Sequence, residues 1–148
     1  MLGDEHGGTY VGWGELLNGG GGEVHVQRLD PDGNALWAAN GVVLAGNVTS
    51  YWSAFAADGA GGVIAAWQDL RNGSYGDVYA QRVGPDGTVR WTAGGVPVAL
   101  LGGQTRWVSL VSDGAGARRW SDSTGRARAI SVTRTHSAST PAARRSGT

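Results

Sequence analysis

The chain contains neither cysteine nor lysine, and each absence narrows what it can do. Without cysteine there is no disulfide, no thiolate metal site and no cysteine nucleophile. All twelve basic residues are therefore arginine. Long hydrophobic runs are also lacking: none reaches the ~18–20 residues that cross a bilayer, so we expect no membrane span. The first residues lack the basic and apolar regions of a signal peptide, which favours a cytoplasmic protein or a piece of a longer one.

The net charge is zero, but the two signs are unevenly distributed. Residues 1–117 carry eleven acidic residues and five arginines, whereas residues 118–148 carry seven arginines and one acidic residue, Asp122. A basic end could bind nucleic acid or a membrane surface. A disordered tail rich in Arg, Ser and Thr is the simpler interpretation, and we predict one over residues 123–148. We expect no nucleic-acid partner.

Glycine is abundant, at 27 of 148 residues, while hydrophobic residues make up 41% of the chain. Interior glycine costs a helix about 1 kcal/mol relative to alanine, so long helices are disfavoured. Apolar residues spread among many turns are typical of proteins with many short strands. The composition therefore predicts an all-β fold.

The chain is built from repeats, because residues 4–57 align with residues 58–112 at an offset of 54, as from Trp13 to Trp67. A third copy begins at Asp113 and loses the pattern after residue 122. We therefore divide the chain into repeat 4–57, repeat 58–112, a degenerate start at 113–122 and the tail. The matching positions are Gly7-Gly8 with Gly61-Gly62, Trp13 with Trp67, Asn18-Gly19 with Asn72-Gly73, Pro31-Asp32-Gly33 with Pro85-Asp86-Gly87, Trp37 with Trp91 and, after one insertion, Trp52 with Trp107.

Each repeat is predicted to contain four strands. In the second repeat, the apolar run Gly62–Gln68 suits a strand that is buried on both faces. Pro at the second position and Gly at the last make Pro85-Asp86-Gly87, like Pro31-Asp32-Gly33, a type I turn. Gly94-Gly95 predicts a bend in the third strand. The other three predicted strands are Asp77–Val83, Thr88 towards Ala99, and Trp107–Ser112.

Four strands in about 54 residues, repeated in tandem, favour a propeller blade over a sandwich. We expect a partial β-propeller of two four-stranded blades and a degenerate third. Repeat units bury their faces only against neighbours. The expected partners are therefore further blades, from the same chain or another.

The repeat also resembles known sequences over residues 4–112. It is similar to tandem repeats of large bacterial secreted and cell-surface proteins, and residues 78–91 resemble the tryptophan-docking blades of quinoprotein-like propellers. The resemblance implies a propeller fold, an extracellular or cell-surface location and a tryptophan packed between blades; it does not imply quinone chemistry. The motifs that carry it are Asp58-Gly59-Ala60-Gly61-Gly62, Ala66-Trp67-Gln68-Asp69, Arg71-Asn72-Gly73, Asp77 to Val83, Pro85-Asp86-Gly87, Arg90-Trp91 and Gly94 to Val98.

Candidate chemistry is sparse. The loop residues Asp69, Asn72 and Asp77, and the equivalent loop from Glu15 to Glu23, could supply oxygen ligands to Ca²⁺, but turn chemistry explains the same residue types. The three histidines share no metal-ligand spacing, and His25 is replaced by Tyr79 in the next copy, which favours a packing role. No serine-nucleophile motif or phosphate-binding loop is present in the sequence. We expect no catalytic residue, cofactor or metal.

Seven tryptophans could stack on sugars, but six of them recur at matching repeat positions, which favours packing between blades. The predicted function is a non-enzymatic structural or binding module of a larger secreted or surface propeller, with a glycan or protein as candidate ligand. The alternatives are a carbohydrate-binding propeller of lectin type and the non-catalytic blades of a propeller enzyme. The predicted packing residues are Trp13, Trp67, Trp37, Trp91, Trp52 and Trp107.

Overall fold

A computed structural model describes residues 1–4, 6–18, 21–48, 50–73, 76–100, 108–112, 118–122 and 127–130. Within residues 50–53, 112, 118–122 and 127–130 only the backbone is described. The described segments form eleven β-strands and no helix, so the predicted all-β class is confirmed. In the same segments there is no helix that could cross a membrane.

The strands form three antiparallel sheets, each continuous in sequence. The first sheet, in the order β1-β2-β3-β4, contains Leu2–Gly3 (β1), Thr9–Leu16 (β2), Gly22–Leu29 (β3) and Val42–Val48 (β4). The second, in the order β5-β6-β7-β8, contains Ser50–Ala57 (β5), Val63–Asp69 (β6), Asp77–Val83 (β7) and Val96–Ala99 (β8). The third, in the order β11-β10-β9, contains Val108–Ser112 (β9), Arg118–Asp122 (β10) and Ala127–Ile130 (β11).

The last strand of each repeat pairs into the sheet of the following repeat. β5 belongs to the first repeat but is hydrogen-bonded to β6, and β9 belongs to the second repeat but is hydrogen-bonded to β10. The strand predicted at Trp107–Ser112 therefore completes the third sheet instead of the second. For β5 the reason is a short connection: Asp58 N–H donates to the Gly62 carbonyl over 2.9 Å, which turns β5 directly back onto β6.

The third predicted strand is also interrupted. Val83 makes an isolated bridge with Val89, after which the chain turns and β8 begins only at Val96. The turn is closed by a hydrogen bond from Gly95 N–H to the Thr92 carbonyl, 2.9 Å long. Gly95 has a φ of 87°, a left-handed conformation that an extended strand does not use.

Four residues of the predicted tail belong to a sheet. Ala127–Ile130 forms β11, paired with β10 through Ser121 opposite Ala127, whereas we expected a disordered tail from residue 123. The remaining residues of the predicted tail, 123–126 and 131–148, lie outside the described residues. Pairing with β10 supplies backbone hydrogen bonds that composition does not reveal.

The second sheet is covered on both faces. Along β6, Val63 and Trp67 join a buried cluster with residues of the first sheet such as Tyr10. Ala66 faces the other way and joins a second cluster, which includes Val108 of the third sheet. Because side chains alternate along a strand, the apolar run of β6 serves both faces. Neighbouring sheets therefore pack through their faces, and within the described residues no sheet closes on itself.

Candidate functional site

Two acidic pairs occupy the same position in the first and second repeats. Glu15 on β2 lies directly opposite Glu23 on β3, and Asp69 on β6 lies directly opposite Asp77 on β7. Like charges placed directly opposite each other destabilise a sheet. Each pair therefore favours a nearby cation.

In the second sheet, Arg71 supplies that cation. Asp69 is fully buried and accepts hydrogen bonds from the Arg71 backbone N–H at 2.9 Å and from its Nε at 2.8 Å, while Nη2 makes an ion pair with the same carboxylate. The Trp67 indole also donates to Asp69, over 3.1 Å. The bond to Asp69 raises the pKa of Arg71 above its ordinary value, so the positive charge is permanent.

The candidate ligand loop forms one hydrogen-bonded network around this ion pair. The Asn72 amide donates to Asp77 Oδ2 at 3.1 Å and to the Tyr79 hydroxyl at 3.0 Å. The Arg71 guanidinium lies 3.9 Å from the centroid of the Tyr79 ring. The structure thus brings Asn72 and Asp77 together. Both carboxylates of the loop already have protein partners, however, because Asp69 binds Arg71 and Asp77 accepts an N–H of the Asn72 amide. These contacts fit a structural closure of the loop better than a Ca²⁺ site, which needs six to eight oxygen ligands.

The first sheet lacks the arginine. At the equivalent positions, Leu17 stands in place of Arg71 and His25 in place of Tyr79. His25 Nε2 lies 3.0 Å from Glu23 Oε2 and 3.5 Å from Glu15 Oε2. Among the described residues, no arginine makes an ion pair with either glutamate.

His25 is the unusual member of this group, because only 4% of its surface is exposed. Its ring stacks on Trp13, with the centroids 5.2 Å apart and the planes at 9°. Within the described part of the chain, neither ring nitrogen makes a hydrogen bond of ordinary geometry, although Nε2 is at ion-pair distance from Glu23. Buried polar atoms rarely lack such a bond.

Glu15, Glu23 and His25 have ligand atoms that all lie within 4.8 Å of one another, close enough to hold a metal ion. Spacing among the histidines does not reveal this cluster, because only one of its members is a histidine. The sequence indicates Glu15 and Glu23 as possible oxygen ligands, whereas His25 was assigned to packing. The signal that could have completed the cluster is the leucine that stands where the second repeat has arginine.

The predicted packing tryptophans have different degrees of burial. Trp67 is fully buried, whereas Trp13, Trp37 and Trp91 are half-buried. The Trp37 ring lies 5.8 Å from that of Tyr10 and packs against the cluster between the first two sheets. Trp91 joins the cluster that contains Val108 and Leu110 of β9. The side chains of Trp52 and Trp107 lie outside the described residues.

The Pro-Asp-Gly segments form tight turns in both repeats. Gly33 N–H donates to the Asp30 carbonyl and Gly87 N–H to the Gly84 carbonyl, each over 3.0 Å. Pro31-Asp32 and Pro85-Asp86 are therefore the central residues. Gly33 and Gly87 have φ values of 86° and 79°, which only glycine adopts without strain.

Two further side-chain hydrogen bonds occur at equivalent positions in both repeats, and the sequence did not predict them. The oxygen Oε1 of buried Gln81 accepts the backbone N–H of Trp91 at 3.0 Å, and Gln27 accepts that of Trp37 at 3.1 Å. Asp58 accepts from Arg82 Nε over 2.8 Å; the equivalent pair is Asp4 with Arg28. These groups orient the tryptophan segment and close the hairpin in each repeat.

Asp58 is held as a carboxylate by its partners. Burial acts to raise its pKa, but hydrogen bonds from the amides of Ala60 and Gly62 and from Arg82 together lower it. In the first repeat, the bond from Arg28 likewise lowers the pKa of Asp4. Both carboxylates therefore have a structural role.

In comparisons with known proteins, the chain matches no protein-family model, no curated protein and no solved structure.

Proposed function

We propose that the chain is part of a β-propeller in which each sheet is a blade, and that it serves as a non-enzymatic structural or binding module of a larger secreted or surface protein. The pairing of each repeat's last strand with the next repeat carries the proposal. β5 joins β6 and β9 joins β10, so successive repeats are linked by hydrogen bonds within a sheet, whereas successive sheets are joined by packing of their faces. Such an arrangement continues from blade to blade until a ring closes.

The apolar faces support the same proposal. One cluster joins the first sheet to the second, and another joins the second to the third. A sandwich needs only one such interface between two sheets. A middle sheet covered on both faces is typical of stacked repeats.

Sedimentation of the full chain over a range of concentrations tests the propeller proposal. Propellers close with typically 4–8 blades, so three sheets leave end faces and strand edges that favour self-association. We expect oligomers whose proportion rises with concentration. A monomer that is independent of concentration and melts in one sharp transition would contradict the proposal.

A glycan array tests the non-enzymatic module against the lectin alternative. In our proposal, Trp91 packs between sheets, so Trp91→Ala lowers stability whether or not a ligand is present. A lectin site predicts instead that the wild-type chain binds a sugar and that Trp91→Ala abolishes binding at unchanged stability. Denaturation and array data on the same variant separate the two.

A further inference from the structure

We propose that Glu15, Glu23 and His25 form a binding site for a divalent first-row transition metal, with Zn²⁺ as the best-fitting ion. The site lies on one face of the first sheet, because Glu23 and His25 are two residues apart on β3 and Glu15 is directly opposite Glu23. The inference concerns this sheet alone and does not depend on the propeller proposal.

The distances fit a tetrahedral ion. Zn²⁺ bonds of about 2.0–2.2 Å to nitrogen and oxygen place neighbouring ligand atoms about 3.3–3.6 Å apart. His25 Nε2 is 3.5 Å from Glu15 Oε2 and 3.0 Å from Glu23 Oε2. The two carboxylates lie within 4.8 Å of each other, so a movement of about an ångström or less at the flexible ends of the glutamate side chains brings all three atoms into one coordination sphere.

The burial of His25 is an independent reason to expect a ligand. The residue is only 4% exposed, and within the described residues Nε2 makes no hydrogen bond of ordinary geometry. The ring is held flat against Trp13, which sets its direction before any ion arrives. A metal bond at Nε2 would satisfy that atom and leave the proton on Nδ1.

The second repeat shows what this position requires. There the acidic pair Asp69 and Asp77 is compensated by the guanidinium of Arg71. In the first repeat, Leu17 takes the place of that arginine, and no arginine of the described segments pairs with either glutamate, so a bound metal ion would supply the missing positive charge. The exchange of Tyr79 for His25 adds a metal-binding nitrogen at the same place.

The donor set selects the class of metal. An imidazole nitrogen with two carboxylates suits Zn²⁺ and its first-row neighbours, whereas Ca²⁺ and Mg²⁺ prefer oxygen ligands alone. Three protein ligands leave a fourth position. The Glu15 side chain is 56% exposed and the Glu23 side chain 29%, so that position opens to solvent and would hold a water molecule or a donor from a partner.

Zn²⁺ titration of the full chain, followed by calorimetry, tests the site. We expect one Zn²⁺ per chain, and a loss of affinity of more than about tenfold in His25→Tyr and in Glu23→Gln. Loss of a supporting group outside the coordination sphere already costs 10–100-fold, so loss of a direct ligand costs at least as much. His25→Tyr introduces the second repeat's own residue, and circular dichroism verifies that the sheets persist.

Two further variants distinguish binding at this cluster from Zn²⁺ binding elsewhere on the chain. Leu17→Arg leaves all three ligands in place but supplies the second repeat's internal cation, and we expect it to weaken Zn²⁺ binding more than tenfold. His6→Gln, at an exposed histidine outside the cluster, is the matched control and should bind as the wild type does. The assignment is overturned if the wild type binds no Zn²⁺, if His25→Tyr or Leu17→Arg retains full affinity, or if His6→Gln loses it.

Discussion

The indole Nε1 of Trp37 donates a hydrogen bond of 3.1 Å to the carbonyl oxygen of Pro85, in the corresponding turn of the next repeat. The tryptophan that follows one Pro-Asp-Gly turn thus reaches the other such turn. Gly87 assists, because a Cβ atom there would lie 3.0 Å from the indole ring. The contact links the first two repeats through positions that both of them share.

Replacement of Trp37 should weaken this link. We expect Trp37→Ala to lower the free energy of unfolding by about 2–3 kcal/mol, less than the ~3–5 kcal/mol of a fully buried tryptophan because the ring is half-buried. Chemical denaturation at one fixed protein concentration measures the loss. Leu36→Ala, at a neighbouring side chain that is 50% exposed, is the control and should change little. A loss within about 0.5 kcal/mol for Trp37→Ala, as at surface sites, would contradict the docking role.

Gly95 should be less replaceable than Gly33, although both have positive φ values, of 87° and 86°. A Cβ atom at Gly95 would lie 2.6 Å from the Trp67 ring, whereas a Cβ atom at Gly33 would meet nothing within 4 Å. Gly33→Ala should therefore cost only the backbone strain, about 1–2 kcal/mol. Gly95→Ala should cost about 1–3 kcal/mol more through overpacking. Equal losses in thermal or urea unfolding would show that Trp67 does not require the close approach.

Arg71 should be essential to the stability of the second sheet. Arg71→Leu, which introduces the first repeat's residue, leaves the fully buried Asp69 without its cation. We expect a loss of about 2–4 kcal/mol, somewhat below the range for fully buried pairs because Arg71 is partly exposed. Arg90→Leu is the matched control, since Arg90 and its partner Asp86 are both about half exposed and such pairs contribute little. The prediction fails if the two variants unfold at the same denaturant concentration.

Asp58 should make the stability depend on pH. Its folded-state pKa lies below the ordinary value of about 3.9, so the folded chain binds fewer protons than the unfolded chain as the pH falls towards that lowered pKa. The stabilisation is fully present above about pH 4 and is lost as the pH decreases through the folded-state pKa.

Asp58→Asn tests this dependence. We expect the variant to be less stable than the wild type by about 1–2 kcal/mol at pH 7, because the bond to Arg82 loses its charge. The difference should shrink as urea unfolding is repeated at pH 4 and pH 3. Asp32→Asn, at an exposed turn residue, should follow the wild type throughout. A difference for Asp58→Asn that stays constant down to pH 3 would contradict the assignment.

Features that depend on neighbouring residues could be predicted from the amino-acid sequence. The Pro-Asp-Gly turns form between Asp30 and Gly33 as their residue types predict, because turn geometry is set by the φ preferences of proline and glycine. The strand predicted at Asp77–Val83 is β7, with the predicted bounds. The apolar run of β6 already indicated burial on both faces. The all-β class follows from the same local patterns.

Only the tertiary structure decides which strands pair and which side chains come into contact. Alternation along a strand does not reveal its register, and a shift of one residue moves every side chain to the opposite face. The sequence therefore could not show that Trp107–Ser112 yields β9 of the third sheet, or that His25 lies beside Glu15 and Glu23. The two acids are eight residues apart along the chain and become neighbours only because β2 and β3 pair in one register, so the site exists through hydrogen bonding between strands.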